Sequence, residues 1–181
     1  MDVSIADTWF VRNFQDDATI PAALLAFTTN MHEPAYFKDV AISNSAFLGN
    51  AFITDLALNY VMTAKLDRVL FYRTWPAGQL LTSTTSQDVI VNDSVIVVDD
   101  LARVAAIDHS PPIRFTGTTK IYAKSYKPGA AIPDALKVDR AALSDRAAID
   151  ATAKDVDAAV AMPVGMPDDA LRAKVDKALR P

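Results

Sequence analysis

The sequence predicts an α+β fold with a mainly antiparallel sheet. Three observations lead there. Short runs of β-branched and aromatic residues recur through the first 130 residues, one stretch near residues 50–62 has helical spacing, and the composition changes near residue 130. The 181 residues are 51% apolar, 22% charged and 8% aromatic, which can fill a core and excludes wholesale disorder. That length suits one domain with room for an appendage. Residues 1–130 carry the aromatics, with ten Lys/Arg against thirteen Asp/Glu, whereas 131–181 is rich in Ala, Asp, Val, Lys and Arg and has no aromatic. The expected division is therefore an α+β domain over 1–130 and a helical tail over 131–181. No internal repeat is visible.

The elements follow in order. Asp2–Phe14 alternates, with Trp9, Val11 and Asn13 on one face and Phe10, Arg12 and Phe14 on the other, as a strand would. Pro21–Phe27 begins with proline and is rich in Ala and Leu, which suits a helical turn. Tyr36–Ser43 reads as a second strand. The clearest helix spans Asn50–Met62: Asn50 is an N-cap residue type, Phe52, Leu56 and Tyr60 follow at i, i+4 and i+8, and Ile53 and Ala57 widen the stripe. Val69–Trp75, Gln79–Thr84, Asp88–Val91, Val95–Val98 and Arg103–Ile107 read as strands, with a turn at Asn92-Asp93. Asp108–Pro112 is a loop, since two prolines cannot sit in a central strand. Ile113–Tyr126 reads as one or two strands around Gly117, and Pro128-Gly129 closes the region. In the tail, Ala141–Ala161 presents Ile149, Ala153, Val156 and Val160 on one helical face. Pro163–Pro167 breaks it, and Asp168–Arg180 presents Leu171, Val175 and Leu179. The second stretch has Asp168 and Asp169 in its first turn and Lys177 and Arg180 near its end, matching the helix dipole. Its narrow, Ala-rich stripe needs a partner surface.

Several chemistries are excluded or weakened. The chain has no cysteine, so disulfides, thiolate metal sites and cysteine nucleophiles are absent and a reducing compartment is allowed. Its two histidines, His32 and His109, make a multi-histidine metal site unattractive. No apolar run approaches the roughly 18 residues of a membrane span, and no secretory signal is visible. No metal site, cofactor site or phosphate-cradling glycine loop is expected, because the five glycines are scattered. Asp108-His109-Ser110 holds the residue types of a hydrolase triad, but adjacent side chains diverge where a triad converges. His109 alone could act as a general base; the blander reading is a polar loop residue. Asp99-Asp100 and Asp168-Asp169 read as a turn and a helix N-terminus.

One segment stands out. The net charge is −4, yet Arg103–Lys127 holds Arg103, Arg114, Lys120, Lys124 and Lys127 against Asp108 alone. If Lys120–Tyr126 is a strand, Lys120, Tyr122, Lys124 and Tyr126 share one face. Such a face combines charge for phosphates with rings on which bases stack. A lysine-protected edge strand explains the same pattern equally well.

Two segments together, Ala41–Met62 (AISNSAFLGNAFITDLALNYVM) and Pro111–Tyr126 (PPIRFTGTTKIYAKSY), resemble a small CRISPR-associated family. It is the RAMP-superfamily subunit that caps the 5′ end of the guide RNA in type I-D-like effector complexes. Ile53–Met62 resembles the family's helix pattern "I-H-N-Y-A-L-x-Y-A-L", with Thr54 and Asp55 in place of His-Asn. Pro111, Pro112, Ile113 and Arg114 resemble its "P-x-x-I-R-L-G-K" stretch, with Phe115 for leucine, and with Gly117 and Lys120 later than the family spacing. Asp16–Asp39 and the tail have no counterpart.

The resemblance implies an RRM-like, ferredoxin-like antiparallel sheet with an early helix packed on it and a C-terminal helical extension that docks on partners. It implies a cytoplasmic, non-catalytic subunit of a Cascade-like ribonucleoprotein in antiviral defence, holding the crRNA 5′ handle beside the backbone and large subunits. Arg114 would contact phosphate, Lys120, Lys124 and Lys127 would add charge beside Arg103, and Tyr122 and Tyr126 would stack on bases. The alternative is a phage or virion structural or assembly protein without nucleic acid, suggested by the acidic balance, the short strands and a tail that wants partners. A hydrolase using His109 is the third reading.

Overall fold

The computed structural model describes residues 1–11, 13, 22–28, 36–73 and 77–144. The chain winds through three strands per turn. The first turn holds β1 (Asp2–Ala6), β2 (Trp9–Val11) and β3 (Ala23–Phe27). The second holds β4 (Phe37–Ser43), β5 (Ala46–Leu48) and β6 (Thr54–Asn59), and the third β7 (Val61–Asp67), β8 (Leu70–Tyr72) and β9 (Gln79–Thr84). The fourth holds β10 (Asp88–Asn92), β11 (Val95–Val98) and β12 (Ala105–Asp108). β13 (Ile113–Thr116) and β14 (Lys120–Ala123) follow, then the short β15 (Leu136–Lys137) and β16 (Leu143–Ser144). Each strand pairs with the one a full turn away, never with its neighbour in sequence. Sheet 1 runs β1-β4-β7-β10-β13-β15, sheet 2 runs β2-β5-β8-β11-β14-β16 and sheet 3 runs β3-β6-β9-β12. The pairings are parallel in all three sheets. This is a β-solenoid.

The register stacks like on like. Phe10, Phe47, Phe71, Ile96, Ile121 and Leu143 occupy one column of sheet 2. Ile5, Ile42, Leu66, Val91 and Phe115 occupy one of sheet 1, and Leu25, Leu56, Leu81 and Ala105 one of sheet 3. These columns face each other and form the main core. The rings of Phe10, Phe47 and Phe71 stack at 4.7 and 4.8 Å.

The corners repeat as well. Between sheets 1 and 2, Asp7, Asn44, Arg68, Asp93 and Gly117 all have positive φ, from 46 to 64°. A backbone in that region turns the chain within two residues, at a cost of about 1–2 kcal/mol for a non-glycine residue. The turn is held from the next rung: the N–H groups of Asp7, Asn44, Arg68 and Asp93 donate to Ser43, Asp67, Asn92 and Thr116 carbonyls. Buried hydroxyls complete it. Ser45 Oγ accepts from Thr8 N, Ser94 Oγ from Val69 N, and Thr119 Oγ1 from Ser94 N. The corner between sheets 3 and 1 repeats the device at Tyr60, Thr85 and His109, with Ser86 Oγ accepting from Val61 N. Gly78, at φ 75°, lies against the Ile53 carbonyl, where a Cβ would collide with backbone.

These findings correct the expected α+β, RRM-like, antiparallel fold. Successive strands are one corner apart on different sheets, so hairpin pairing does not arise. The expected helix over Asn50–Met62 is β6, a corner and the start of β7. Spacings of four and eight are also even, so Leu56 can join a strand's inward face as readily as a helix stripe. Asn50 is not an N-cap: its Oδ1 accepts from Asn13 N and its Nδ2 donates to Phe10 O, bridging two rungs. Pro21–Phe27 yields strand β3, and Asp2–Phe14 breaks into β1 and β2 at Asp7-Thr8. Strands near Tyr36–Ser43, Val69–Trp75 and Gln79–Val98 are present, as is the division of Ile113–Tyr126 at Gly117. Arg103–Ile107 is the end of a 3-10 turn (Leu101–Arg103) followed by β12. Beyond residue 130 the solenoid continues through β15, a 3-10 turn at Arg140–Ala142 and β16. The helix expected from Ala141 therefore does not begin there. The rest of it, and the stretch Asp168–Arg180, lie outside the described residues.

Phe47 is fully buried between two stacked rings. Phe47→Ala is expected to cost about 3–5 kcal/mol, read as a lower urea midpoint. The conservative Phe47→Leu should lose much less.

Candidate functional site

The basic segment does not form one face. Arg114 lies on β13 of sheet 1, where its Nε and Nη2 donate to the two carboxylate oxygens of Asp88 at 3.0 and 2.6 Å. That bidentate pair raises the guanidinium pKa further. Arg103 ends the 3-10 turn and donates from Nη1 to Gly78 O. Lys120 and Tyr122 point outward from β14 on sheet 2, both half-buried, and Tyr122 packs on an apolar cluster of that sheet. The strand stops at Ala123. Lys124 is exposed and pairs with Asp99 at 2.5 Å. Tyr126 belongs to the core at 9% exposure, and Lys127 is exposed. The alternating face expected over Lys120–Tyr126 is thus reduced to Lys120 and Tyr122, because the register that sets it ends three residues before Tyr126.

Asp108, His109 and Ser110 form a corner. His109 has a positive φ of 50°, and its Nδ1 lies 2.7 Å from Asp108 Oδ1, both side chains being exposed. Ser110 Oγ accepts from Ser86 N and donates to the Asp108 carbonyl. The hydroxyl is engaged in holding rungs. Asp100 accepts from Ala102 N as the cap of the 3-10 turn. His32 and Asp168-Asp169 lie outside the described residues.

Two polar arrangements were not anticipated. On the outer face of sheet 1, Asn92 Nδ2 donates to Asp67 Oδ1 at 2.8 Å, and Thr116 Oγ1 donates to Asn92 Oδ1 at 2.9 Å. Asp93 Oδ1 accepts from the backbone N–H and hydroxyl of Thr118, which hold its carboxyl below the usual range. The second is a buried ion pair. Arg73, just after β8, and Asp55, in β6, meet at 2.9 Å with both side chains 1% exposed. Arg73 Nη2 also donates to the Phe52 and Ala77 carbonyls, each at 2.6 Å, tying together the connections that lead into sheet 3. The approach to Asp55 lies outside hydrogen-bond alignment, and among the described residues Arg73 Nε has no hydrogen-bond partner. Burial pushes the Asp55 carboxyl up to about 6, although Arg73 opposes that rise. Nothing in the sequence flags this pair, whose members stand eighteen residues apart.

Among the described residues, no group of three or more His, Asp or Glu could hold a metal ion, and no helix is long and apolar enough to cross a membrane. Compared with protein-family models, curated proteins and solved structures, the chain matches none.

Asp55→Ala leaves a buried, unpaired guanidinium and is expected to cost about 3–5 kcal/mol. Adding Arg73→Leu should recover part of that loss, which a double-mutant cycle by urea unfolding measures. The pH dependence has a defined sign. The folded carboxyl binds its proton more tightly than the unfolded one, so its contribution is fully present below the ordinary carboxyl value of 3.8 and is lost as pH rises through about 6. Measured against Asp55→Asn, the native chain should therefore be relatively more stable at pH 4 than at pH 7.5.

Proposed function

We propose that this chain is a non-catalytic structural component of a larger protein assembly, of the kind found in phage particles or virions. It acts as a rigid block that presents sheet faces to protein partners. The observation that carries this reading is where the polar side chains are engaged. Asn50, Ser45, Ser86, Ser94, Thr119 and Arg73 bond to backbone across rungs or corners, while Asn92 and Arg114 bond side chains on neighbouring strands. Side chains so committed fix a shape and are poorly placed to bind or turn over a small substrate. A stack of parallel rungs also makes contacts that extend along its axis, which suits an assembly part.

The guide-RNA reading drew on an RRM-like sheet and on a continuous Lys/Tyr face. With a solenoid in place of that sheet, and with Arg114 and Lys124 paired to carboxylates, its support reduces to Lys120, Tyr122 and Lys127. The assembly reading therefore takes precedence.

The test is purification of the full chain with its neighbouring-gene products, followed by the 260/280 nm absorbance ratio and light-scattering mass. A nucleic-acid-free complex of defined stoichiometry is expected. Short RNAs sharing one 5′ end, lost with Lys120→Ala plus Lys124→Ala, would overturn it in favour of guide binding. An activity abolished by His109→Ala would overturn it in favour of an enzyme.

A further inference from the structure

The first turn of the solenoid ends in bare strand edges. Among the described residues β1 pairs with β4 alone, β2 with β5 alone and β3 with β6 alone, so each has one edge with no strand beside it. Edges are normally guarded by charge, proline or shortness, because a bare edge recruits another strand. These three carry little guard. Their thirteen residues include one charged side chain, Asp2, and neither proline nor glycine. The core is open at this end too. Val3, Ile5, Phe10 and Leu25 are partly exposed, whereas Val40, Ile42, Phe47 and Leu56, which continue their columns in the second turn, are at most 1% exposed. The other end is built differently. Sheets 1 and 2 finish on the two-residue strands β15 and β16, and Lys137 of β15 is exposed. Sheet 3 finishes on β12, which ends at the exposed Asp108 and is followed by Pro111-Pro112.

We propose that the bare end binds the same end of a second copy, so that two chains stack head to head about a two-fold axis through Ser4. The difference between the ends selects this mode. Head to head, a bare edge meets its like, whereas head-to-tail stacking would set it against the guarded end. The axis makes β1 antiparallel to β1 of the second copy. Val3 then meets Ile5 of the second copy on the core side, where both side chains pack. On the outer side Asp2 meets Ala6 and Ser4 meets Ser4, so no like charges lie opposite each other. The same rotation sets β2 of each copy over β3 of the other. Both strands are uncharged, and Phe10 and Leu25 gain apolar neighbours where their columns now stop. The product is a closed dimer with its guarded ends outward, and it cannot grow into a filament. It needs no other protein, so it stands apart from whatever further partners an assembly contains.

The full chain, with nothing added before Met1, is measured by light scattering over a wide range of concentration. A dimer that dissociates on dilution is expected. Ile5→Lys sets a charge against Val3 in both halves of the interface and should raise the dissociation constant ~10-fold or more, while circular dichroism reports whether the strands persist. A monomer at every concentration would overturn the proposal, and so would a mass that keeps growing beyond two copies. Cysteine, absent from the chain, locates the axis. Ser4→Cys places two thiols directly opposite each other, with Cβ atoms about 4.5–5.5 Å apart, and mild oxidation should link the copies. Ala41→Cys occupies the same register position one strand further in, about 14 Å from its counterpart at three strand spacings of about 4.8 Å, and should stay unlinked. A dimer in which Ser4→Cys does not link, or links no faster than Ala41→Cys, would overturn the head-to-head arrangement. Should Ile5→Lys unfold the chain, the two cysteine variants decide.

Discussion

Everything in this structure depends on one constraint: each strand finds its hydrogen-bond partner a full turn of chain away, in parallel and in register. Ile42 pairs with Leu66 and Leu66 with Val91, so about two dozen residues must pass three corners and return to within one strand spacing. The register then dictates the packing. Side chains at matching positions stack on one another, which is why three phenylalanines of sheet 2 lie ring on ring and why the core is built as columns. Parallel strands of this kind are buried on both sides wherever something covers them. Val95–Val98 accordingly reads as an unbroken apolar run and is buried throughout.

The corners are where the constraint is costly. Aspartate, asparagine, arginine, tyrosine, threonine and histidine all adopt positive φ at equivalent places. The strain is offset by bonds from the next rung. A backbone N–H at the turn reaches the carbonyl above it, and a serine or threonine hydroxyl takes the following N–H. The serines and threonines of the chain thereby serve the backbone. The buried Asp55–Arg73 pair follows the same logic at larger scale: its guanidinium gathers two carbonyls at the entry to sheet 3, at the expense of burying a carboxylate. Specifying one corner geometry is a role such pairs can fill even where they add little net stability.

The same economy bears on function. Residue types that suggest chemistry in one dimension are bound to neighbours in three. Ser110, the nucleophile type in Asp108-His109-Ser110, completes a corner. Arg114, in the segment that resembles a guide-RNA contact, grips Asp88 twenty-six residues earlier. On the proposed assembly reading, partner proteins would meet the described sheet faces and their edges.

Much of the strand content was legible in the sequence. Runs such as Phe37–Ser43, Gln79–Thr84 and Val95–Val98 declare themselves by β-branched and apolar content, and Asn92-Asp93 and Gly117 mark real corners. The sequence by itself therefore determined several of the extended runs and some of the corners. It did not determine what each strand pairs with. The rung repeat is irregular, 24 residues from Ile42 to Leu66 and 25 from Leu66 to Val91, and the repeated position changes residue type each time. Its nearest local trace is a polar or aromatic residue followed by Ser or Val, at Asn44-Ser45, Tyr60-Val61, Thr85-Ser86 and Asp93-Ser94. Even spacing made Leu56 fit a helix as well as a strand. Only the tertiary structure decided between them, because hydrogen bonds between rungs and burial against two other sheets are long-range terms that no local window contains.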